Sequence, residues 1–167
     1  MIRRPRRRRL PVAALAAVLV AAILGGCAPY SGTTAQKVRQ WVSQNSFREN
    51  HDLVITDIND VDMAVRLGAA KTVRTICGGM AVDLGTAYET LPTPDQALTN
   101  DLNAADTTLA AAATSCSGVG SVSSPTMTRD LALFRTGIGD LRKAQRVLAS
   151  LGVSWKIPPV TMTVGSS

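Results

Sequence analysis

The chain has 167 residues, of which 18 are Lys or Arg and 12 are Asp or Glu, so its formal net charge is +6. Aromatic residues make up only 4% of the chain, which argues against the basic, aromatic-rich surfaces that bind nucleic acids. Six arginines precede residue 10 and no acidic residue does, so the rest of the chain carries 12 residues of each sign. We therefore expect no nucleic-acid partner.

The N-terminus has the pattern of an export signal. An arginine-rich segment, residues 3–9, is followed by an apolar run from Leu10 to Leu24 that contains Pro11. This run is shorter than the roughly 20 residues that a membrane-spanning helix needs. The sequence Leu24-Gly25-Gly26-Cys27 resembles the lipobox of bacterial lipoproteins. The resemblance implies cleavage between Gly26 and Cys27, a thioether-linked diacylglycerol on Cys27, and acylation of the new amino terminus with a fatty acid such as palmitate.

The lipobox resemblance also divides the chain and gives it a location. It implies a signal peptide at 1–26 and a short lipidated tether at 27–33, and the residue pattern that follows predicts a helical domain at 34–152 and a tail at 153–167. The mature protein would be anchored on the extracytoplasmic face of the cell membrane, in contact with the bilayer through lipid because two or three acyl chains hold firmly. The alternative is a signal-anchor helix, against which Pro11 and the short apolar run both count.

Once Cys27 carries lipid, Cys77 and Cys116 remain as a pair. Exported proteins meet an oxidising environment, so we expect these two residues to form a disulfide. Closing a loop of about 40 residues contributes roughly 3 to 4 kcal/mol in the chain-entropy model. The alternative is two free buried thiols. Two cysteines and one distant histidine do not make a zinc site, so no metal is expected.

Helical periodicity runs through the first half of the mature chain. It predicts a helix from Thr34 to about Phe47, a turn at Asn50-His51-Asp52, and a second helix from Thr56 or Asp57 through Ile76. The pair Gly78-Gly79 is expected to interrupt that helix, or at least to weaken it by roughly 1 kcal/mol per glycine. The helical pattern then resumes from Met80 to Leu91.

Prolines and glycines punctuate the second half. In the segment 92–96, Thr93 is expected to cap a helix, with Pro94 at its first position and Gln96 completing a capping box. That helix continues to Cys116 with apolar residues at alternating spacings of four and three. A flexible loop, residues 117–124, leads to a last helix that begins at Ser124-Pro125 and is closed by Gly152.

Four amphipathic segments with short connections predict an all-α fold, an up-down four-helix bundle with one interhelix disulfide. The alternating tail at 153–167 is expected to lie extended on the bundle or to form a short edge strand. Two straight antiparallel helices would separate Cys77 from Cys116 by roughly 10 Å. We therefore expect a kink or a short non-helical insert at Gly78-Gly79.

The middle of the chain resembles uncharacterised small helical lipoproteins and secreted proteins of actinobacteria. The shared features are a cysteine in one helix, the turn Pro92-Thr93-Pro94-Asp95, and an alanine-rich helix that ends in Cys116 before a Gly/Ser loop. This resemblance covers about residues 60–151. It implies no catalytic residue, cofactor or substrate.

Candidate catalytic or metal-binding residues are few. His51 is the only histidine, and a metal site or a general base would need partners that converge on it. No G-x-S-x-G, S-x-x-K, H-E-x-x-H or P-loop motif is present. The cluster Asp57, Asp60 and Asp62 could attract calcium, but an EF-hand loop starting at Asp57 would have Asp62 at its sixth position and Gly68 at its twelfth. Acids favoured near a helix N-terminus explain the cluster better.

Two further features of the sequence concern packing. Trp41 and Trp155 are interpreted as core or interface anchors. Gly137 and Gly139, inside the last helix, are interpreted as sites of close helix packing, with a groove for a partner as the alternative.

The sequence thus predicts a non-catalytic, membrane-anchored helical lipoprotein that binds another envelope protein or has a structural role in the envelope. The alternative is a tethered carrier for a small or apolar ligand. An internal cavity of a few hundred Å³ would favour the carrier, whereas a closed core would favour the interaction protein. No enzymatic activity is expected.

Overall fold

The computed structural model describes residues 30–160 and 162. These residues form five α-helices, namely α1 (Thr34–Gln44), α2 (Phe47–Arg66), α3 (Ala70–Tyr88), α4 (Gln96–Cys116) and α5 (Pro125–Ser150). Within this part of the chain no β-strand occurs, so the predicted all-α class is confirmed, although with five helices where four amphipathic segments were expected. The predicted signal peptide, Cys27 and residues 163–167 lie outside the described residues.

The first boundary differs from the prediction. Helix α1 begins with a capping box between Thr33 and Gln36 and ends at Asn45, after which Ser46 has a φ of 45°. The expected turn at residues 50–52 was wrong, because these residues lie inside α2. Phe47 and His51 are both buried and are four residues apart, on one face of that helix. Burial of this face outweighs the weak helix propensity of Asn50-His51-Asp52.

The boundary between α2 and α3 was also misplaced. A single helix was expected over residues 56–76, but Gly68 has a φ of 69° and ends α2. The N–H of Gly68 donates to the carbonyl of Val65, and the N–H of Ala69 donates to that of Ala64, which is the Schellman arrangement. The predicted break at Gly78-Gly79 was wrong, because both glycines lie within an uninterrupted α3.

The start of α4 lies two residues later than predicted. Asp95, not Thr93, is the N-cap residue, and its Oδ1 accepts a hydrogen bond from the N–H of Leu98 at 2.8 Å. Thr93 lies two residues before the N-cap and supports it, because its Oγ1 accepts a hydrogen bond from the N–H of Asp95. The predicted apolar seam is confirmed, since all six of its members are fully buried: Leu98, Leu102, Ala105, Leu109, Ala112 and Cys116.

Helix α5 begins and ends as predicted. The Ser124 hydroxyl accepts from the N–H of Met127, and Pro125 occupies the first helical position. At the other end Gly152 has a φ of 71°, and the N–H of Val153 donates to the carbonyl of Leu148. These are the cap and the glycine end that the residue pattern specified.

The cysteine pair sets how far α3 and α4 are displaced along each other. The sulfur atoms of Cys77 and Cys116 lie at disulfide distance, with the Cα atoms 5.9 Å apart, so the predicted pairing fits the structure. Tyr88 is eleven residues after Cys77, whereas Gln96 is twenty residues before Cys116. Because α3 is unbroken, no non-helical insert absorbs the mismatch of about 14 Å. The connection 89–95 spans it instead.

Two segments outside the four long helices pack on the bundle. Helix α1 lies on the connection 89–95, where Trp41 Nε1 donates to the carbonyl of Thr90 at 2.9 Å. The tail from Val153 to Val160 lies between α2 and α5. Its Trp155 carbonyl accepts from Gln145 of α5, and its indole N–H donates to Asp52 of α2. The tail therefore lies on the helices, without the edge strand that was the other possibility in this segment.

Gly137 provides a test of the packing between α4 and α5. A Cβ added at Gly137 would lie 2.5 Å from the Leu109 side chain and 3.4 Å from the carbonyl oxygen of Ala105, whereas a Cβ at Gly139 would meet nothing within 4 Å. We predict that Gly137→Ala lowers the free energy of unfolding by about 1 to 3 kcal/mol through overpacking. The control Gly139→Ala should leave stability unchanged or raise it by about 0.5 to 1 kcal/mol. Urea denaturation measures both, and equal effects of the two substitutions would contradict the close packing at Gly137.

The space around the two glycines also decides the interpretation made from the sequence. Close helix packing is confirmed at Gly137 and was wrong for Gly139.

Candidate interaction surface

His51 lies in a closed aromatic cluster. Its side chain is 1% exposed, and its ring is 4.6 Å from that of Phe47 and 5.7 Å from that of Trp155. The Nδ1–H donates to the Phe47 carbonyl at 2.9 Å, and Nε2 lies 3.2 Å from Asp106 Oδ1 on α4. Asp106 is 2% exposed. The sequence placed His51 in a turn, and nothing in its spacing identified Asp106, 55 residues away, as its partner.

The geometry of the His51–Asp106 pair suits a structural role and not a catalytic one. A general base needs one ring nitrogen free to take a proton from a substrate. Here one nitrogen faces a backbone carbonyl and the other faces a buried carboxylate, so neither is free. The pair joins α2 to α4 inside the core, where breaking a buried hydrogen-bonded pair is strongly destabilising.

A second buried carboxyl group lies on α5. Asp130 is completely buried, and burial raises the pKa of its carboxyl above the ordinary value of 3.8, opposed by the Ser115 hydroxyl and the Arg129 guanidinium. The nearest Arg129 nitrogen is 3.9 Å from Asp130 Oδ1.

The exposed outer side of α2 along its seam with α3, which we call the α2–α3 face, carries three of the largest exposed apolar side chains. Leu53 is 47% exposed, Met63 53% and Leu67 76%. A cleft of about 260 Å³ follows the seam between the two helices, and it is lined by Asp60, Met63, Ala64, Leu67, Ala69, Thr72 and Ile76. Exposed apolar residues that cluster around a groove are typical of a contact surface.

Three carboxylates frame the same seam. Asp57 and Asp60 are on α2, and Asp83 faces them from α3. Burial, together with the charges of Asp83 and Asp60, raises the pKa of Asp57 from 3.8 to about 6. Among the described residues none of these carboxylates has a cation within 4.0 Å. The face is therefore both apolar and acidic.

Three glycines of α3 are exposed without a role in the fold. A Cβ added at Gly78, Gly79 or Gly85 would meet nothing within 4 Å, and none of them has a positive φ. Each one costs an exposed helix about 1 kcal/mol relative to alanine. Nothing within the described domain requires glycine there, whereas their small size would let a partner approach the α3 backbone closely.

Asp57, Asp60 and Asp62 do not form a common calcium cluster, and the preferred interpretation of them as acids near a helix N-terminus was wrong, because α2 begins ten residues earlier at Phe47. Asp62 is buried beside Arg66, whose guanidinium nitrogen is 3.1 Å from Asp62 Oδ2, so its side chain is separated from those of Asp57 and Asp60. Across residues 30–160 and 162, no group of three or more His, Cys, Asp or Glu side chains has the geometry to hold a metal ion.

Other clefts lie at the surface. One, about 390 Å³, is lined by residues of α1, the start of α2 and the tail, and includes Arg39, Arg48 and Glu49. A cleft of about 270 Å³ is lined by Tyr30, Lys37 and residues 92–94, and one of about 250 Å³ by Arg135, Ile138, Arg142, Val160 and Met162. Each is open to solvent through exposed or half-buried side chains.

The raised pKa of Asp57 predicts a dependence of stability on pH. Because the unfolded carboxyl group has a pKa of 3.8 and the folded one about 6, the folded state holds more protons between these values. The free energy of unfolding should therefore fall as the pH rises from about 4 to about 6 and then level off. Asp57→Asn should remove this fall and stabilise the protein at pH 7 by about 1 kcal/mol, a value reduced for the solvent exposure of the group.

Thermal unfolding between pH 4 and 7 measures the effect, with Glu49→Gln as the control. Glu49 is an exposed acid of the same helix that does not face Asp83. The control should keep the fall in stability, and the same profile for both variants would contradict the assignment to Asp57.

Comparison of the chain with protein-family models, with curated proteins and with solved structures finds no match. Within the part of the chain that the structure describes, no helix is long and apolar enough to cross a membrane. The function must therefore be argued from the residues themselves and from the surfaces that the fold exposes.

Proposed function

We propose that this protein is an extracytoplasmic lipoprotein, anchored to the cell membrane through lipid on Cys27, whose α2–α3 face binds a partner protein of the envelope. The anchor is supported by the lipobox resemblance of Leu24-Gly25-Gly26-Cys27 and by the basic and apolar segments before it. The interaction role is carried by one observation, the apolar seam of α2 and α3 that three carboxylates frame without cations.

The chemistry of this face defines the partner that it fits. Met63 and Leu67 offer apolar area, and the uncompensated charges of Asp57, Asp60 and Asp83 favour lysine or arginine on the other side. Complementary charges give specificity and fast association, while the buried apolar area supplies most of the affinity. The partner surface is therefore an apolar strip flanked by basic residues.

We also infer that α2 to α5 form the predicted up-down bundle, with α1 as an added cover. Successive helices pack against each other. Contacts within two of these helix pairs support an antiparallel arrangement, because residues later in one helix meet residues earlier in the other. On α3 and α4, Cys77 pairs with Cys116 and Arg74 reaches the Val119 carbonyl. On α4 and α5, Arg129 reaches Ser115, while Gly137 meets Leu109.

The carrier alternative has less support. An apolar ligand needs an enclosed apolar cavity, whereas the clefts described above are open, and the interior between α4 and α5 is filled so closely that Gly137 has no room for a Cβ. The aromatic side chains Trp41 and Phe47, both fully buried, contact each other with ring centroids 5.0 Å apart. The large apolar side chains that are not buried are exposed on the outside of the domain.

The anchor is tested at Cys27. Cys27→Ala should abolish labelling of the protein by a radioactive fatty acid and leave an uncleaved precursor or a released protein, because the acceptor thiol is gone. The control pair Cys77→Ala with Cys116→Ala should keep the label. Immunoprecipitation from labelled cells measures both, and unchanged labelling of the Cys27 variant would contradict the anchor.

The interaction role is tested by photo-crosslinking in intact cells, with benzoylphenylalanine in place of Leu67. Ala132, an exposed residue of α5, is the control site. We expect a discrete adduct from position 67 and none from position 132. Adding Asp60→Lys should abolish the adduct because it removes the charge that attracts a basic partner, while Glu89→Lys, at an exposed acid outside the face, should not. An adduct insensitive to Asp60→Lys, or equal adducts at both sites, would contradict the proposal.

A further inference from the structure

The beginning of the described chain is held firmly to α1. The Tyr30 hydroxyl accepts from Asn45 Nδ2 at 2.9 Å, and the N–H of Ser31 donates to Gln40 Oε1 at 3.2 Å. Thr33 then caps the helix. The tether of the mature protein is therefore shorter than its sequence suggested, because it is bound to the domain from Tyr30 onward.

This attachment limits the distance between the domain and the lipid. Tyr30 is the third residue after Cys27. Three residues of fully extended chain span about 10 Å. If Cys27 carries lipid at the bilayer surface, as the proposed function requires, the Tyr30 backbone lies within about 10 Å of it.

The contacts of α1 identify the end of the bundle at which Tyr30 lies. Trp41 of α1 contacts Thr90, just after α3, and Arg39 Nη1 donates to the carbonyl of Leu151, just after α5. The cleft beside Arg39 also contains Ser46, which precedes α2. The start of α2, the start of α4 and the ends of α3 and α5 are thus gathered beside α1, and we call this the α1 end. The loop 117–124 lies at the opposite end of α4, about 30 Å away for a helix of 21 residues.

The α1 end also carries side chains that suit a bilayer surface. Arg39 and Arg48 line one cleft together with the carboxylate of Glu49, and Lys37 lines another beside Tyr30. Among the described residues neither guanidinium has a carboxylate oxygen within 4.0 Å. Guanidinium groups bind phosphate with two parallel hydrogen bonds, and tyrosine favours the membrane interface.

We propose that the bundle stands on the membrane with its α1 end against the phospholipid headgroups, which Tyr30, Lys37, Arg39 and Arg48 contact. The inference rests on the proposed lipid anchor at Cys27, and it adds an orientation. The loop 117–124 is then the part of the domain farthest from the bilayer. The α2–α3 face is exposed along the side of the bundle, where a neighbouring membrane-bound protein can reach it.

Two matched serines test this orientation. Ser43, at the α1 end, and Ser121, in the distal loop, are both exposed. Ser43→Cys or Ser121→Cys supplies the only free thiol of the lipidated protein, because Cys27 carries lipid and Cys77 lies beside Cys116 in the core. Each variant is purified from membranes, labelled with bimane and reconstituted into phosphatidylcholine vesicles that contain a headgroup-spin-labelled lipid.

We expect the spin label to quench bimane at position 43 strongly and bimane at position 121 no more than in vesicle-free solution. Equal quenching at the two sites, or stronger quenching at position 121, from protein that floats with the vesicles would overturn the orientation and leave the anchor intact. Protein that does not float with the vesicles would overturn the anchor itself, and the orientation with it. Circular dichroism of both variants confirms that each is folded before labelling.

Discussion

The pairing of Cys77 with Cys116 is the constraint on which the rest of the structure depends. It holds a position in the first half of α3 beside the last residue of α4, so that α4 extends about 14 Å beyond the end of α3. Seven residues, 89–95, cross this distance, and only the first three donate backbone hydrogen bonds to carbonyls at the end of α3. Their backbone needs partners, and Trp41 of α1 supplies one by donating to the Thr90 carbonyl.

The position of α1 follows from that connection, and the position of the proposed lipid anchor follows from α1. A short helix of 11 residues has little stability of its own, so it must be held by packing. Once Trp41 is buried beside Phe47, the chain before α1 is brought to the same end of the bundle, and Tyr30 is tied to Asn45. A crosslink in the middle of the protein thereby determines which end faces the membrane in our proposal.

The same aromatic cluster also binds the tail. Trp155 contacts Phe47, and its indole donates to Asp52, so the tail covers the groove between α2 and α5. With α4, α5 and the tail packed on the inner side, the outer side of α2 and α3 keeps its apolar and acidic residues exposed. The candidate interaction surface is thus the part of the domain that its own segments do not cover.

The sequence by itself determined the features that depend on neighbouring residues. It specified the helical class, the seam of α4, the start of α5 at Ser124-Pro125 and its end at Gly152, because periodicity and caps act within a few residues. Gly68, which ends α2, is also a local signal, although the predicted break was at Gly78-Gly79. Only the tertiary structure decided that residues 50–52 are helical, that His51 bonds to Asp106, and that the carboxylates of α2 face Asp83. These outcomes depend on burial and on partners 26 to 55 residues away, and no local pattern records which distant side chain a residue will meet.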